Sequence, residues 1–262
     1  MKVFFASFSR ASNGAVEHLN KEMFKRGMTT YKPQNADYIL AIGDRVETFD
    51  FVLEWFKKNK PIIHLWSGEI SQGTHDEVYR HSMTLMSCLQ LCTNEHAAAR
   101  VMDLCRAVDK EHNIHVVGNV MLDDLTISER VVPIYPYTLV LYNPPTTYTK
   151  DKVKAELDIV MQQVRELGRK VIWIEPNGDL FSDVVTPFVT HNNLPRNQFL
   201  GLIKRCDYFI TNSSCQYYEA PFLINKKQIK SIGVRNIERE SKYADMTQTN
   251  ATENIIKVLE QL

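Results

Sequence analysis

The stretch IGDRVETFDFVLEWFKKNKPIIHLWSGEISQGTHDEVYRH, residues Ile42–His81, decides how the rest of the chain is read. The apolar run Tyr38–Ile42 leads into it and a second run, Pro61–Leu65, lies inside it. Each has the length of a strand buried on both faces of a parallel sheet. Between them, Glu47–Asn59 carries Phe51, Val52, Trp55 and Phe56 at helical spacing, and Lys57-Lys58-Asn59-Lys60 gives it the basic last turn that suits a helix C-terminus. Its aromatic residues read as packing. Both strands end in small or acidic residues, Gly43-Asp44-Arg45 and Ser67-Gly68-Glu69, and a third acidic residue follows in Gly73-Thr74-His75-Asp76-Glu77. The carboxyl ends of the strands form the ligand crevice of an open α/β sheet, so Asp44, Glu69 and Asp76 are candidates for acid–base chemistry.

Working outward, Val3–Ser7 reads as a first strand, and the small polar loop Phe8–Gly14 opens a helix over Ala15–Arg26. A strand, such a loop and a helix N-terminus suit an anion, although the loop is neither GxGxxG nor a P-loop. Downstream come a helix over Asp76–Ser87, a strand at Leu89–Cys92, a helix over His96–Val108 and a strand at His115–Val117. This alternation predicts a parallel sheet with helices on both faces. Asp123–Tyr137, with Pro133 and Pro136, lacks periodicity and reads as the passage to a second half, with room for a helix around Asp123–Glu129. There the rhythm restarts: strands at Thr138–Tyr142, Lys170–Ile174, Tyr208–Thr211 and Lys230–Ile232, helices over Lys150–Leu167, Asn197–Cys206, Ser213–Ile224 and Thr252–Leu262. The expected division is residues 1–130 and 131–262, the last helix being able to pack back on the first domain.

A chain of 262 residues has room for one large or two medium α/β domains. Lys+Arg and Asp+Glu are both 31, so overall charge points to neither a nucleic-acid nor a membrane surface, and an anionic ligand would need local arginines. The five cysteines include no CxxC pair and read as thiols in a reducing compartment, which predicts a cytoplasmic protein. MKVFFASFSR is too short an apolar run for a signal peptide, and no run approaches membrane-span length.

In the second half, Asn143-Pro144-Pro145-Thr146 and Pro176-Asn177-Gly178-Asp179 each follow a strand directly, which puts Asn143, Asn177 and Asp179 at a crevice edge. Thr211-Asn212-Ser213-Ser214-Cys215 offers hydroxyls and N–H groups at a helix start, suited to phosphate, and Glu219 follows at a distance suited to a ribose diol. Arg235 and Arg239 sit in a loop after a strand, where guanidinium groups neutralise a diphosphate. Taken singly, Asn-Ser-Ser is also a good helix cap and Asn-Pro-Pro a good turn. What favours a site is that all of them fall at the carboxyl ends of predicted strands.

With these residues in view, the sequence resembles the UDP-N-acetylglucosamine 2-epimerases, in particular the hydrolysing branch that feeds sialic-acid-type sugars. The likeness runs from about Asp37 to Ser241. It is carried by Gly43-Asp44-Arg45, by His64 with Gly68-Glu69, by Gly73 through His81, by Val117-Gly118-Asn119 through Asp123, and by Pro176 through Asp179, Asn212 through Glu219 and Gly233 through Glu240. It implies a GT-B-like α/β fold, two facing Rossmann-like domains with a cleft between them. It implies Asp44, Glu69 and Asp76 as the essential carboxylates, Arg10 and Arg45 near the diphosphate, His81 in the site, and Ser213, Ser214, Glu219 and Arg235 on phosphate, ribose or nearby. The chain departs from the family at Asn143-Pro144, where His-Pro is usual, and in a much shorter segment between Arg10 and Asp44.

The reaction so implied removes the C2 proton and expels UDP from C1, giving a glycal-like intermediate. Water then adds at C1 while C2 is reprotonated on the other face. It demands no metal and no cofactor, and the expected assembly is a homodimer. The alternative is a GT-B glycosyltransferase using a UDP-sugar donor, with Asp44 or Asp76 activating an acceptor hydroxyl. A third reading is a nucleotide-sugar-binding relic, which the retained carboxylates argue against.

Overall fold

A computed structural model describes residues 1–8, 10–192, 194–236 and 250–262. The chain divides into two compact units, the first made of Met1–Ile70, Asp76–Asp124 and Thr247–Leu262, the second of Ser71–His75 and Leu125–Met246. The change of unit thus falls at Asp124 rather than at residue 130.

The first unit is built on β1 (Val3–Ala6), β2 (Tyr38–Ile42), β3 (Ile62–Leu65), β4 (Leu89–Cys92) and β5 (Ile114–Val116), a parallel sheet in the order β1-β2-β3-β4-β5. The apolar runs of β3 and β4 are buried along their whole length, as expected of strands covered on both faces. The helices between them are α1 (Arg10–Ala15), α2 (Glu17–Lys25), α3 (Val46–Phe56), α4 (Asp76–Met86) and α5 (Glu95–Ala107). Helical spacing turns Thr48, Val52 and Trp55 of α3 inward. The Asn94 side chain caps α5 by accepting from the Ala97 N–H at 2.9 Å. Helix begins earlier than expected after β1, at Arg10 rather than Ala15, with a break at Val16.

In the second unit, β6 (Tyr137–Leu141), β7 (Lys170–Trp173), β8 (Tyr208–Thr211) and β9 (Ile229–Ser231) form a parallel sheet in the order β7-β6-β8-β9. Its helices are α6 (Lys150–Leu167), α7 (Ser182–Val185), α8 (Arg196–Arg205) and α9 (Cys215–Tyr218). One face packs Leu139, Leu200, Ile203 and Phe209; the other packs Val140, Val153, Val160, Trp173 and Ile210. Helix α9 is far shorter than the expected Ser213–Ile224. Pro221 lacks an N–H and its ring clashes with a helical carbonyl one turn back, so a single 3-10 turn, Ala220–Phe222, takes over. The helix expected around Asp123–Glu129 is absent among the described residues; a 3-10 turn, Val120–Leu122, precedes it.

The final helix, α10 (Ala251–Leu259), belongs to the first unit. Ala251, Ile255, Ile256 and Leu259 join Leu19, Met23, Leu40 and Ile63 in one buried cluster. The Asp123 carboxylate accepts from the N–H groups of Ala251 and Thr252 at 3.1 and 2.5 Å, and so caps the helix. Arg26 of the first unit reaches Glu253 at 2.9 Å. Among the described residues, no helix is long and apolar enough to cross a membrane.

Candidate active site

A parallel sheet brings the loops after β2, β3 and β4 to one edge. The loop after β2 supplies Asp44, that after β3 supplies Glu69, and that after β4 supplies Thr93. The turn that presents Glu69 is tightly shaped. Gly68 has φ +76°, and a Cβ there would lie 2.1 Å from the Ala97 carbonyl oxygen, so only glycine lets this turn press on α5.

These loops are tied together by Arg80 of α4, only 2% exposed. Its Nη2 donates to the Asp44 carboxylate, and its Nη1 donates to Glu77 Oε2 at 2.6 Å and to the Glu69 carbonyl at 3.1 Å. A buried guanidinium is tolerated only with such partners. Glu77 Oε1 also meets His81 Nε2 at 3.1 Å. The Glu69 carboxylate, 3% exposed, accepts from the Thr93 hydroxyl, which in turn accepts from Asn94 Nδ2 at 3.2 Å.

Behind Asp44 lies His64, wholly buried. Its Nε2 is 3.3 Å from the Gly43 carbonyl, which can only accept, so this nitrogen carries the proton. Its Nδ1 lies 3.0 Å from the Thr84 hydroxyl, which also lies 3.0 Å from the Ser67 hydroxyl and 3.1 Å from the Arg80 carbonyl. Burial pushes the imidazole pKa down from 6.5 to about 4, the hydrogen bond to Gly43 opposing and the nearby Arg80 charge adding to it. His64 is therefore a neutral strut.

Arg80 thus ties the loops that carry Asp44 and Glu69, through the carboxylate of the first and the backbone carbonyl of the second, while the Glu69 carboxylate is held by Thr93. Asp76 opens α4, next to Glu77 and four residues before Arg80. Arg45 forms an ion pair with Glu47 at 3.6 Å, Arg10 opens α1, and Arg239 lies outside the described residues.

In the second unit four strand-end loops are joined through amides. The Asn212 side chain accepts from the Asn143 N–H at 2.8 Å and donates to the Asn143 carbonyl at 2.7 Å, a two-bond clip between the loops after β8 and β6. Asn143 Oδ1 accepts from the Asn177 N–H at 2.9 Å, which adds the loop after β7. Arg235 donates to the Asn143 carbonyl at 3.3 Å and Asn236 Nδ2 to the Asn212 carbonyl at 2.8 Å, which adds the loop after β9. The side chain of Asn143 is therefore engaged in holding loops. Asp179 is half-buried, as are Ser213 and Ser214. Ser213 Oγ accepts from the Cys215 N–H at 3.4 Å.

Glu219 is 3% exposed, and Arg196 of α8 places both Nε and Nη2 on its Oε1, at 3.0 and 2.7 Å. Burial pushes the Glu219 carboxyl up, and the Arg196 charge and hydrogen bond oppose it. Under the Gly233 loop, Tyr142 donates to Glu156 Oε2 at 2.7 Å, and a Cβ on Gly233 would lie 1.9 Å from Glu156 Oε1.

Arg80, Glu77, Thr93, Arg196 and Asn236 are the contributors that the candidate residues omitted. Arg80, Glu77 and Asn236 stand inside quoted motifs. Only the apolar neighbours of Arg196, Leu194 and Phe199–Ile203, hint that it starts a buried helix.

Two parallel α/β units with polar strand-end loops define a GT-B-like protein, and solved structures agree. The crystal structure of UDP-GlcNAc 2-epimerase from Neisseria meningitidis superimposes with a TM-score of 0.74 at 14% identity, covering 100% of both chains. A family profile described as UDP-N-acetylglucosamine 2-epimerase matches residues 7–262, and the chain belongs to that family. Among curated relatives it is 28% identical over 232 residues to a UDP-N,N'-diacetylbacillosamine 2-epimerase (hydrolyzing) of Legionella pneumophila, covering 80% of this chain and 59% of that protein. It is 26% identical over 245 residues to a UDP-N-acetylglucosamine 2-epimerase of Neisseria meningitidis, covering 86% and 63%. The chain spans about six-tenths of the length of these relatives.

Proposed function

We propose that this chain acts as a nucleotide-sugar 2-epimerase of the hydrolysing kind, converting UDP-N-acetylglucosamine and water to N-acetylmannosamine and UDP. The observation that carries the reading is the family match over residues 7–262, together with the acidic loops gathered at one edge of the first sheet. The hydrolysing outcome leans on the Legionella relative, whose name includes it.

In this reading Asp44, Glu69 and Asp76 share the sugar chemistry. One carboxylate takes the C2 proton while the C1–O bond breaks and its electron pair leaves with UDP. Water then adds at C1, and a second acid returns a proton to the opposite face of C2. Ser213 and Ser214 hold phosphate, Glu219 the ribose, and Arg10, Arg45, Arg235 and Arg239 stabilise the departing diphosphate. His81, Asn143, Asn177, Asp179 and Asn212 complete the binding set, Asn143 and Asn212 by holding the loops. The hydrogen-bonded frame around Asn143 supports a rigid nucleotide site. The five free thiols support a cytoplasmic location, and a homodimer completes the reading, measurable by light scattering. Supply of N-acetylmannosamine to sialic-acid synthesis is the pathway role that follows.

The test is incubation with a panel of UDP-hexosamines in heavy water, followed by NMR. The expected products are UDP and a free 2-epimer carrying deuterium at C2. Protein that binds UDP yet never exchanges C2 would refute the epimerase, and sugar transferred intact to an acceptor would establish the transferase instead.

A further inference from the structure

We propose that Arg80 is the positioning residue of the acidic cluster, fixing the Asp44 carboxylate in the direction from which it meets the hexosamine ring. This rests on the epimerase reading and adds to it.

Two separate sets of contacts lead to Asp44. The first is the side chain's own. A guanidinium presents donors in a rigid fork, and Arg80 uses two of its nitrogens on the Asp44 carboxylate, Glu77 Oε2 and the Glu69 carbonyl. Three acceptors from three places in the chain thereby share one planar group. A lysine would match the charge but could not hold these directions together. The second set reaches the backbone. Thr84 lies one turn after Arg80 on the same face of α4, and it holds His64, whose Nε2–H meets the Gly43 carbonyl, in the residue just before Asp44. One face of α4 therefore grips both the peptide that precedes Asp44 and its carboxylate.

The charge balance agrees. Arg80 sits among Asp44 and Glu77, and Glu77 is held from its other oxygen by His81. Among the described contacts, Arg80 touches the Asp44 carboxylate, Glu77 and His81 follow from Arg80 on α4, and His64 lies close enough for the Asp44 charge to act on it. Arg80 is a cation in direct contact with that carboxylate and is itself buried, so its fork bears on the direction in which the carboxylate is held.

The experiment compares wild type, Arg80→Lys and Arg80→Gln for C2 exchange and turnover, for UDP affinity by calorimetry, and for thermal unfolding with and without Asp44→Asn. Arg80→Gln is expected to lower kcat by on the order of 100-fold, the scale of a misplaced catalytic group, with UDP affinity unchanged. The acid limb of its kcat/KM profile moves to higher pH, because a carboxylate without its cation protonates more easily. Arg80→Lys keeps the limb in place and recovers part of kcat. Asp44→Asn lowers the Tm of wild type but not that of Arg80→Gln.

If wild type is active and Arg80→Gln keeps kcat within about threefold, the positioning role is overturned. If wild type turns over no UDP-hexosamine, the epimerase reading falls, and the unfolding cycle still decides whether Arg80 holds Asp44: additive Tm losses overturn it. Should Arg80→Gln not fold, full kcat in Arg80→Lys overturns the role of the fork.

Discussion

Replacing His64 by Gln should remove a specific pH dependence from the stability of the first unit. The ring is wholly buried and its pKa is pushed down from 6.5 to about 4. In the unfolded chain it takes up a proton as the pH drops below 6.5, whereas in the folded chain it stays neutral until about 4. Between those values the unfolded state binds more protons, so stability falls as pH falls. The slope for one proton is about 1.4 kcal/mol per pH unit, which gives a loss of about 2 kcal/mol between pH 6.5 and pH 5. Glutamine keeps a donor for the Gly43 carbonyl but carries no titration. Urea unfolding of wild type and His64→Gln at pH 7.5, 6, 5 and 4.5 isolates the contribution, because every other group cancels in the difference. The two proteins should converge as the pH falls. A difference that is the same at every pH would refute the neutral-strut account of His64.

Gly68→Ala should destabilise the first unit by about 3 kcal/mol or more, since the methyl meets the Ala97 backbone oxygen and the left-handed φ disfavours any side chain; calorimetric unfolding reads this, and a change below about 0.5 kcal/mol would contradict the packing. Arg196→Ala leaves Glu219 buried without that cation, and is expected to weaken UDP binding at least about tenfold in titration calorimetry, with Glu219→Gln in the same background restoring stability rather than lowering it further. Asp123→Ala uncaps α10 and should cost about 1–2 kcal/mol in chemical unfolding, with exchange of the Ala251 and Thr252 amides speeding up.

The strands Tyr38–Ile42, Ile62–Leu65, Leu89–Cys92 and Tyr208–Thr211 were legible because a strand covered on both faces must be a short unbroken apolar run, and turn residues closed each one. Helix α6 was equally plain, with Thr149 capping its start and Gly168 in the left-handed conformation at its end. Less legible was anything decided by a single backbone group. Pro221 stops α9 after Tyr218, while the small residues after β1 admit helix from Arg10 onward. The candidate acidic residues could be named from their positions after strands. Their organiser could not, because Arg80 looks like any solvated helix arginine until the loops after β2 and β3 close over it. Asn143 and Asn212 were visible as loop residues, but their mutual clip depends on β6 and β8 being neighbours in the sheet, a fact of topology rather than of local pattern.

The packing of α10 against Leu19 and Met23 bears on how the protein is made. Translation delivers every residue of the second unit up to Asn236 before Ile255, Ile256 and Leu259 emerge, so the unit begun first is the one completed last. Until then the nascent chain carries an uncovered apolar groove, and a stop codon just ahead of Asn250 would strand it in that state, a target for chaperones and proteases although both sheets are already encoded.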